Sequence, residues 1–276
     1  MLRFTKAHAY GNDFLYVRES AAAGRRLDVL AREMCDRHTG AGADGLILFD
    51  APVSGTTSMR LFNADGGRAE VSGNGLRGLA ALLLRDNTAI EANLSIQTDA
   101  GPKRLTRIDR AGTRHTFRAA MGLPRNLERS SAVVGSETVP IVVMDMGNPQ
   151  CIVLGALPDE HRFRTVGAGL ERHAMFPAGT NVEFARVVAP DLVTIRIWER
   201  GVGPTLSSGT GSCASLVAAA AFGGAARTAT VVAPGGSQRV EWRDDDVYLT
   251  GWAEILFDGE WLLGDSADRQ NPPTNP

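Results

Sequence analysis

Hydrophobic positions along this chain follow two periods, and the elements they predict come in the same order twice. Residues 2–18 read as a strand, a turn at Gly11-Asn12 and a second strand over 14–17, the turn being marked by a pair that tolerates positive φ. Leu27, Leu30, Ala31 and Met34 fall on one helical face and predict a helix over 27–38. A loop over 40–45 leads into an apolar strand over 46–49, and alternation over 57–62 predicts another strand. Beyond the polar loop Asn63-Ala64-Asp65-Gly66-Gly67, the residues Leu76, Leu79, Ala80, Leu83 and Leu84 predict a buried helix over 73–84. The second half repeats the order. Strands are expected over 142–146 and 151–154 around the turn Gly147-Asn148-Pro149, then a helix over 159–173 and a loop over 178–181. Strands over 182–188 and 193–198 follow, and an alanine-rich apolar helix runs from about 210 to 221.

The two halves share one register. Ser72-Gly73-Asn74-Gly75 recurs as Ser208-Gly209-Thr210-Gly211, 136 positions later, and the same offset carries Gly11-Asn12 onto Gly147-Asn148, Arg60 onto Arg196 and Phe62 onto Trp198. A constant offset across separate segments indicates two copies of one unit, and two copies are too few for a solenoid. Strands outnumber helices, and each half offers one helix apolar on most sides, as a helix surrounded by sheet would be. The expected class is therefore α+β, with a boundary near Gly122-Leu123-Pro124. An N-terminal lobe spans 1–122, joined by a strand from about 252–264, and a C-terminal lobe spans 123–251. The segment 266–276, rich in Pro, Asn and Asp, is expected to be a disordered tail.

Charge narrows the partners. With 29 basic against 31 acidic residues the net charge is −2, too small a field to point to nucleic acid. No apolar run is long enough for a signal peptide or a membrane span, so no membrane partner is expected and the cytoplasm is the default location. Cys35, Cys151 and Cys213 are odd in number and far apart, which fits free thiols in a reducing compartment. The histidines 8, 38, 115, 161 and 173 form no paired ligand spacing with them, so no metal is expected.

In both halves a serine precedes glycines and the start of an apolar helix. Unpaired N–H groups and the positive end of the helix dipole make such a start able to grip a carboxylate or phosphate. Taken singly, each serine is an ordinary N-cap. The duplicated register favours two helix starts facing each other across one small anion.

Several motifs carry a specific resemblance: Gly11-Asn12-Asp13-Phe14, Phe62-Asn63-Ala64-Asp65-Gly66 through Ser72-Gly73-Asn74-Gly75, Gly147-Asn148-Pro149, Gly179-Thr180-Asn181-Val182-Glu183-Phe184, and Trp198-Glu199-Arg200-Gly201-Val202-Gly203. In this order, and up to about residue 257, the chain resembles the diaminopimelate epimerase family. The resemblance implies two pseudo-symmetric lobes, each a mixed or antiparallel sheet wrapped around a central helix, with the active site in the cleft between them. It implies an isomerase of amino-acid biosynthesis that inverts an α-carbon without a cofactor, one thiolate removing a proton while the opposite thiol donates another. It also allows a homodimer. By motif position the catalytic pair falls on Ser72 and Ser208. The substrate α-carboxylate falls to Gly73, Asn74, Gly209 and Thr210, and the rest of a zwitterionic substrate to Asn12, Asn63, Asn148, Asn181, Glu199 and Arg200. That donor set suits such a ligand: a guanidinium fork for a carboxylate, a carboxylate for an ammonium, and amides for either.

Both catalytic positions hold serine rather than cysteine, and a serine hydroxyl, unlike a thiol, needs a partner base near neutrality. Gln150 and Pro204 stand where the family commonly has His and Glu, and no histidine lies in a matched motif, so neither serine has an activator visible in the sequence. These additional changes favour natural divergence over an engineered pair of substitutions. Cys151 and Cys213 read as buried structural thiols. Three readings follow: an epimerase acting through the serine pair, a one-base isomerase for which Asp44 or Asp65 is the carboxylate to test, and a catalytically silent amino-acid-binding protein that kept the clamp.

Overall fold

A computed structural model describes residues 1–89 and 92–262. The first half runs β1 (Leu2–Ala9), β2 (Asn12–Arg18), α1 (Leu27–Cys35), β3 (Gly45–Phe49), β4 (Thr56–Asn63), β5 (Arg68–Ala69), α2 (Gly73–Leu83), β6 (Ala92–Thr98), β7 (Gly101–Ala111) and β8 (Arg114–Ala120). The second runs β9 (Arg125–Val134), β10 (Glu137–Asp145), β11 (Pro149–Leu154), α3 (Glu160–Glu171), β12 (Asn181–Ala189), β13 (Leu192–Glu199), β14 (Gly203–Thr205), α4 (Gly209–Phe222), β15 (Thr228–Ala233), β16 (Gly236–Trp242) and β17 (Val247–Trp261). The elements read from the pattern are present, several with shifted ends. The first helix stops at Cys35 rather than residue 38, because the Asp36 carboxylate binds the His38 and Thr39 N–H groups and opens a loop there. The expected tail over 266–276 lies outside the described residues.

In the first lobe every strand except the two-residue β5, which pairs with β4, finds a neighbour on both sides. β1 pairs with β2, β2 runs parallel to β3, and β3 pairs with β4. β4 runs parallel to β6, β6 and β7 lead to β8, and β17 closes the circuit by pairing with β8 and with β1. The second lobe repeats the sequence of antiparallel and parallel pairs from β10 to β16. β17 crosses between the lobes, pairing with β16 at its start and with β1 at its end, whereas β9, which follows β8 in the chain, pairs with β10.

Each lobe has two parallel crossovers, one through an outer helix and one through a central helix. The difference follows from side-chain polarity. α1 buries Leu30, Ala31 and Met34 and turns Arg32 and Glu33 to solvent, whereas α2 and α4 are enclosed on nearly every face. Leu76, Leu79 and Ala80 of α2 pack against Tyr16, Ile47, Leu105 and Phe117. Leu216 and Val217 of α4 pack against Ile152, Ile195, Val231 and Leu249. Burying a leucine such as Leu79 or Leu216 fully is worth about 2 kcal/mol of transfer free energy.

Close contacts fix the height of α2 in its circuit. The Tyr16 hydroxyl donates to the Gly75 carbonyl at 2.9 Å, and a Cβ at Gly78 would lie 2.0 Å from that same hydroxyl oxygen. Gly78→Ala is expected to cost about 2–3 kcal/mol by overpacking and displacing this bond. Tyr16→Phe is expected to cost about 1 kcal/mol and to relieve part of the penalty in the double variant. Urea denaturation of the four-member cycle measures both; strictly additive effects would show that the clash lies elsewhere.

Candidate active site where two helix starts meet

The N-termini of α2 and α4 meet head to head. A Cβ built on Gly73 would lie 3.7 Å from the Gly209 Cα, and one built on Gly209 would lie 3.7 Å from the Gly73 Cα, with the Met121 methyl near both. Ser72 and Ser208 are the N-caps, each in an extended conformation, with Oγ accepting from the N–H of Gly75 and Gly211 respectively at 3.1 Å. The N–H groups of Gly73 and Asn74, and of Gly209 and Thr210, precede the first helical bonds and have no helical acceptors. Two positive helix ends meeting at one place suit an anion, and each carries a serine at its cap.

On the first-lobe side a run of amides is strung between an anion and a cation. Asn12 Nδ2 donates to Asp44 Oδ2 at 2.7 Å, Asn74 Nδ2 donates to Asn12 Oδ1 at 3.1 Å, and Arg77 Nη2 donates to Asn74 Oδ1. The charged ends decide which way each amide points, since a carboxylate only accepts and a guanidinium only donates. Arg37 bridges Asp44 and Asp13, and Lys6 lies 3.0 Å from Asp13. Burial would raise the Asp13 carboxyl, but hydrogen bonds from Arg37 and Lys6 outweigh it and hold the group below its ordinary value. Asn12 itself is delivered by a two-residue hairpin loop at Tyr10 and Gly11, with φ of 56° and 85°. The loop is thus one residue earlier than the Gly11-Asn12 turn expected from sequence, and Asn12 opens β2. Tyr10 is held in this uncommon conformation by packing on Trp252 at 4.5 Å, while its hydroxyl accepts from the Trp252 N–H.

The second-lobe side is built from carboxyls instead. Glu199, at the end of β13, lies near the Ser208 hydroxyl, which favours its ionised form. Burial raises its pKa most, the serine hydroxyl opposes this, the Asp44 charge adds to the rise, and the group ends at about 7. Glu183, on β12, is fully buried and pushed well above the carboxylate range by burial, with the Glu199 charge adding to the effect. The buried Gln150 amide lies among Glu183, Asn148, Asn181 and Thr210. With its nitrogen towards Glu183 it donates to the two carboxyl oxygens at 3.1 and 3.3 Å, and its oxygen accepts from Thr210 Oγ1 and Asn181 Nδ2, each at 3.2 Å. The reverse orientation donates from Gln150 Nε2 to Asn148 Oδ1 at 2.7 Å and turns the Gln150 oxygen to the carboxyl, where the protonated Glu183 donates to it, so the amide bonds Glu183 in either orientation.

Eleven of the twelve expected site residues are tied by these contacts or by backbone position to the meeting point or its rim. Asn181 Oδ1 accepts from the Arg200 N–H at 3.0 Å, but the exposed Arg200 side chain reaches only the Ala178 carbonyl at 3.4 Å and no carboxylate. Asn63 is bound through its backbone to Gly67 and Gly66. Asp65 faces the Gly67 N–H in an exposed loop, and Asp44 is engaged by Asn12 and Arg37, so neither is placed as a free base. The activator missing from the sequence reading is Glu199, expected there as an ammonium partner. Glu183, Arg37 and Arg77 were not singled out by sequence. The duplicated register holds a signal for the first, since Glu183 is the counterpart of the apolar Ile47.

The thiols offer no substitute for the serines. Burial pushes Cys35 to about 12 and Cys151 and Cys213 higher still. Among the described residues no group of three or more His, Cys, Asp or Glu is arranged for a metal ion, and no helix is long and apolar enough to cross a membrane. A groove of about 610 Å³ beside β1 and β17 contains none of the site residues; its Arg3 and Arg85 are paired with Glu260 and Asp258.

Comparison with known proteins places this geometry. The family profile described as diaminopimelate epimerase matches residues 4–125 and 142–256. The diaminopimelate epimerase of Desulforudis audaxviator is 42% identical over 95% of this chain and 99% of its own, and that of Heliobacterium modesticaldum is 38% identical over 95% and 100%. Among solved structures, a probable proline racemase from Agrobacterium radiobacter superposes with a TM-score of 0.73 over 96% of this chain and 94% of its own, at 15% identity. A PhzF-family phenazine biosynthesis protein from Bacillus anthracis gives 0.68 over 95% and 99%, also at 15% identity. These two share the two-lobed fold.

Glu183 makes a stability prediction with a definite sign. Its pKa is raised on folding, so above the ordinary value of 4.5 the folded protein binds more protons than the unfolded chain, and this group erodes stability as pH rises. Glu183→Gln, which keeps the shape and removes the ionisation, is expected to raise Tm at about pH 8 and to leave it unchanged at about pH 4. Thermal unfolding at the two pH values checks this; an equal shift at both would mean that ionisation is not the cause.

Proposed function

Because this chain belongs to the diaminopimelate epimerase family, we propose that it interconverts LL- and meso-diaminopimelate, or a close amino-acid analogue, in lysine and peptidoglycan precursor synthesis. The proton transfers run through its own side chains, without a cofactor. The observation that carries this reading is the Ser208–Glu199 contact at the mouth of the paired helix starts. With a pKa of about 7, Glu199 is half ionised near neutrality, which suits a general base. As Ser208 Oγ takes the α-proton, its own proton passes to Glu199, and the electron pair left on the carbon spreads into the substrate carboxylate. The N–H groups of Gly73, Asn74, Gly209 and Thr210 face that carboxylate and stabilise the charge as it grows. Ser72, on the opposite face, donates its hydroxyl proton to the carbon and regains one from solvent. Asn12, Asn63, Asn148, Asn181 and Arg200 hold the remainder of the zwitterion. Family likeness also supports a homodimer working in the cytoplasm.

One feature favours a second reading. The counterpart of Glu199 at the same offset is Asn63, so Ser72 has no matching carboxylate, and a one-base isomerase that removes and returns a proton on the Ser208 face uses the same groups. The two differ in product. In deuterated water, LL-diaminopimelate loses its α-proton signal in either case. Deuterated meso product supports the epimerase, whereas deuterated LL compound with no meso form supports the one-base enzyme. Binding without exchange leaves only the ligand clamp.

Exchange is expected to rise with pH through a midpoint near 7, as Glu199 ionises, and to fall about 100-fold in Glu199→Gln. A pH profile with no inflection near 7 would remove Glu199 from the base role. Gly73→Ala gives an independent check. The added methyl meets only ordinary contacts at 3.7 and 4.0 Å, and Gly73 is not at positive φ, so folding is expected to be unaffected. The same methyl occupies the space meant for the carboxylate, so substrate affinity should drop; unchanged affinity, measured by calorimetry, would move the anion elsewhere.

A further inference from the structure

Arg77 is among the largest fully buried side chains of the protein, with 1% of its surface exposed. Its guanidinium lies 5.7 Å from the centroid of the Tyr10 ring and against the β17 backbone, where a Cβ on Gly251 would come within 3.2 Å of its Cζ. One Nη donates to Asn74 Oδ1, and Nε has no acceptor. The ionisable groups bearing on its charge are Tyr10, Cys213 and Tyr16, none of them a carboxylate. A buried cation without an anion is costly, and proteins rarely keep one.

The place of this cation on its helix sharpens the contrast. Arg107, also buried, donates to the carbonyls of Leu84, Asn87 and Ala89 just past the C-terminus of α2, where the helix dipole welcomes positive charge. Arg77 instead lies in the first turns of the same helix, where the dipole is positive already. Its counterpart on α4 at the shared offset is Cys213, so the central pair of helices carries one such charge rather than two. An anion seated between the helix starts supplies what the protein does not.

We propose that Arg77 is a positioning residue that serves as the buried counter-charge for the substrate carboxylate and orients its cradle through Asn74. This rests on the proposed function, since it takes the ligand to be an amino acid held by its carboxylate between Gly73 and Gly209. Because negative charge on that carboxylate grows as the α-proton leaves, Arg77 favours the reacting state over the bound substrate as well as aiding binding.

The test compares wild-type protein with Arg77→Met and Arg77→Lys, using as calorimetric probes LL-diaminopimelate and its bis-carboxamide, which keeps both ammonium groups but replaces each carboxylate by a neutral amide. In Arg77→Met, affinity for the dicarboxylate is expected to fall about 10- to 100-fold, the range for partners that act on a bound group through another residue, while affinity for the bis-carboxamide holds. Arg77→Lys is expected to recover most of the loss. Equal losses for both probes in a folded Arg77→Met protein would reduce Arg77 to packing and overturn the proposal. Should Arg77→Met fail to fold, Arg77→Lys carries the test through pH. A buried lysine sheds its proton more readily than arginine, so its affinity for the dicarboxylate should fall more steeply than the wild-type affinity between about pH 6 and 9. Parallel pH profiles would overturn the proposal. Wild-type protein that binds neither probe would overturn the proposed function, and this inference with it.

Discussion

Two helix N-termini pointing at each other is an arrangement that resists itself. Like ends of two dipoles repel, and the N–H groups there have no helical partners. In this protein the helices are kept in place because each is enclosed by its own lobe, through Leu76, Leu79 and Ala80 on one side and Leu216, Val217 and Ala218 on the other. The lobes in turn are stitched by β17, which pairs with β16 of one lobe and with β8 and β1 of the other. Apolar burial distributed over many residues thus opposes a local electrostatic conflict at Gly73 and Gly209. An anion at that point would remove the conflict, which is the physical reason for placing the proposed reaction there.

The scaffold is duplicated but its electrostatics are not. On the first-lobe side the supporting groups are full charges: Asp13 and Asp44 paired with Arg37, and Arg77, which faces no carboxylate, behind Asn74. On the second they are carboxyls whose burial disfavours ionisation, Glu183 and Glu199, joined to the site by Gln150 and Ser208. Positions that correspond in sequence therefore carry opposite tasks. Ile47 fills space where Glu183 holds a proton, and Asn63 stands where Glu199 can take one. Duplication supplies two faces for a planar intermediate, and divergence gives the faces different proton affinities.

Much of this was legible in the sequence, for a physical reason. Central helices must be apolar all round, so 73–84 and 210–221 stand out in the sequence, and the constant offset ties Ser72 to Ser208. What the sequence did not reveal depends on burial and distance. Nothing in the string Trp198-Glu199-Arg200 distinguishes a fixed anion for an ammonium from a carboxyl raised to about 7 against Ser208. Arg77 sits in an apolar helical stretch and looks like a face residue until both central helices are packed around it. The Tyr10-Gly11 loop was missed by one residue because Tyr10 adopts positive φ without being the residue type that signals it.

The serines can then be understood together with their surroundings. A thiol can be brought near neutrality by a helix start alone, whereas a hydroxyl titrates far above it and has to pass its proton on. In the proposed path the recipient near Ser208 is Glu199, and the factor that makes it a recipient rather than a permanent anion is burial, with the Asp44 charge adding to it, while the neighbouring carboxyl of Glu183 stays neutral. A second ionised carboxylate beside Glu199 would push its proton affinity higher still and slow its release. Gln150 meets that need, since it bonds the protonated Glu183 without contributing a charge of its own. Serine at 208, a near-neutral carboxyl at 199 and an amide at 150 are mutually consistent parts of one proton path, and each would serve poorly without the others.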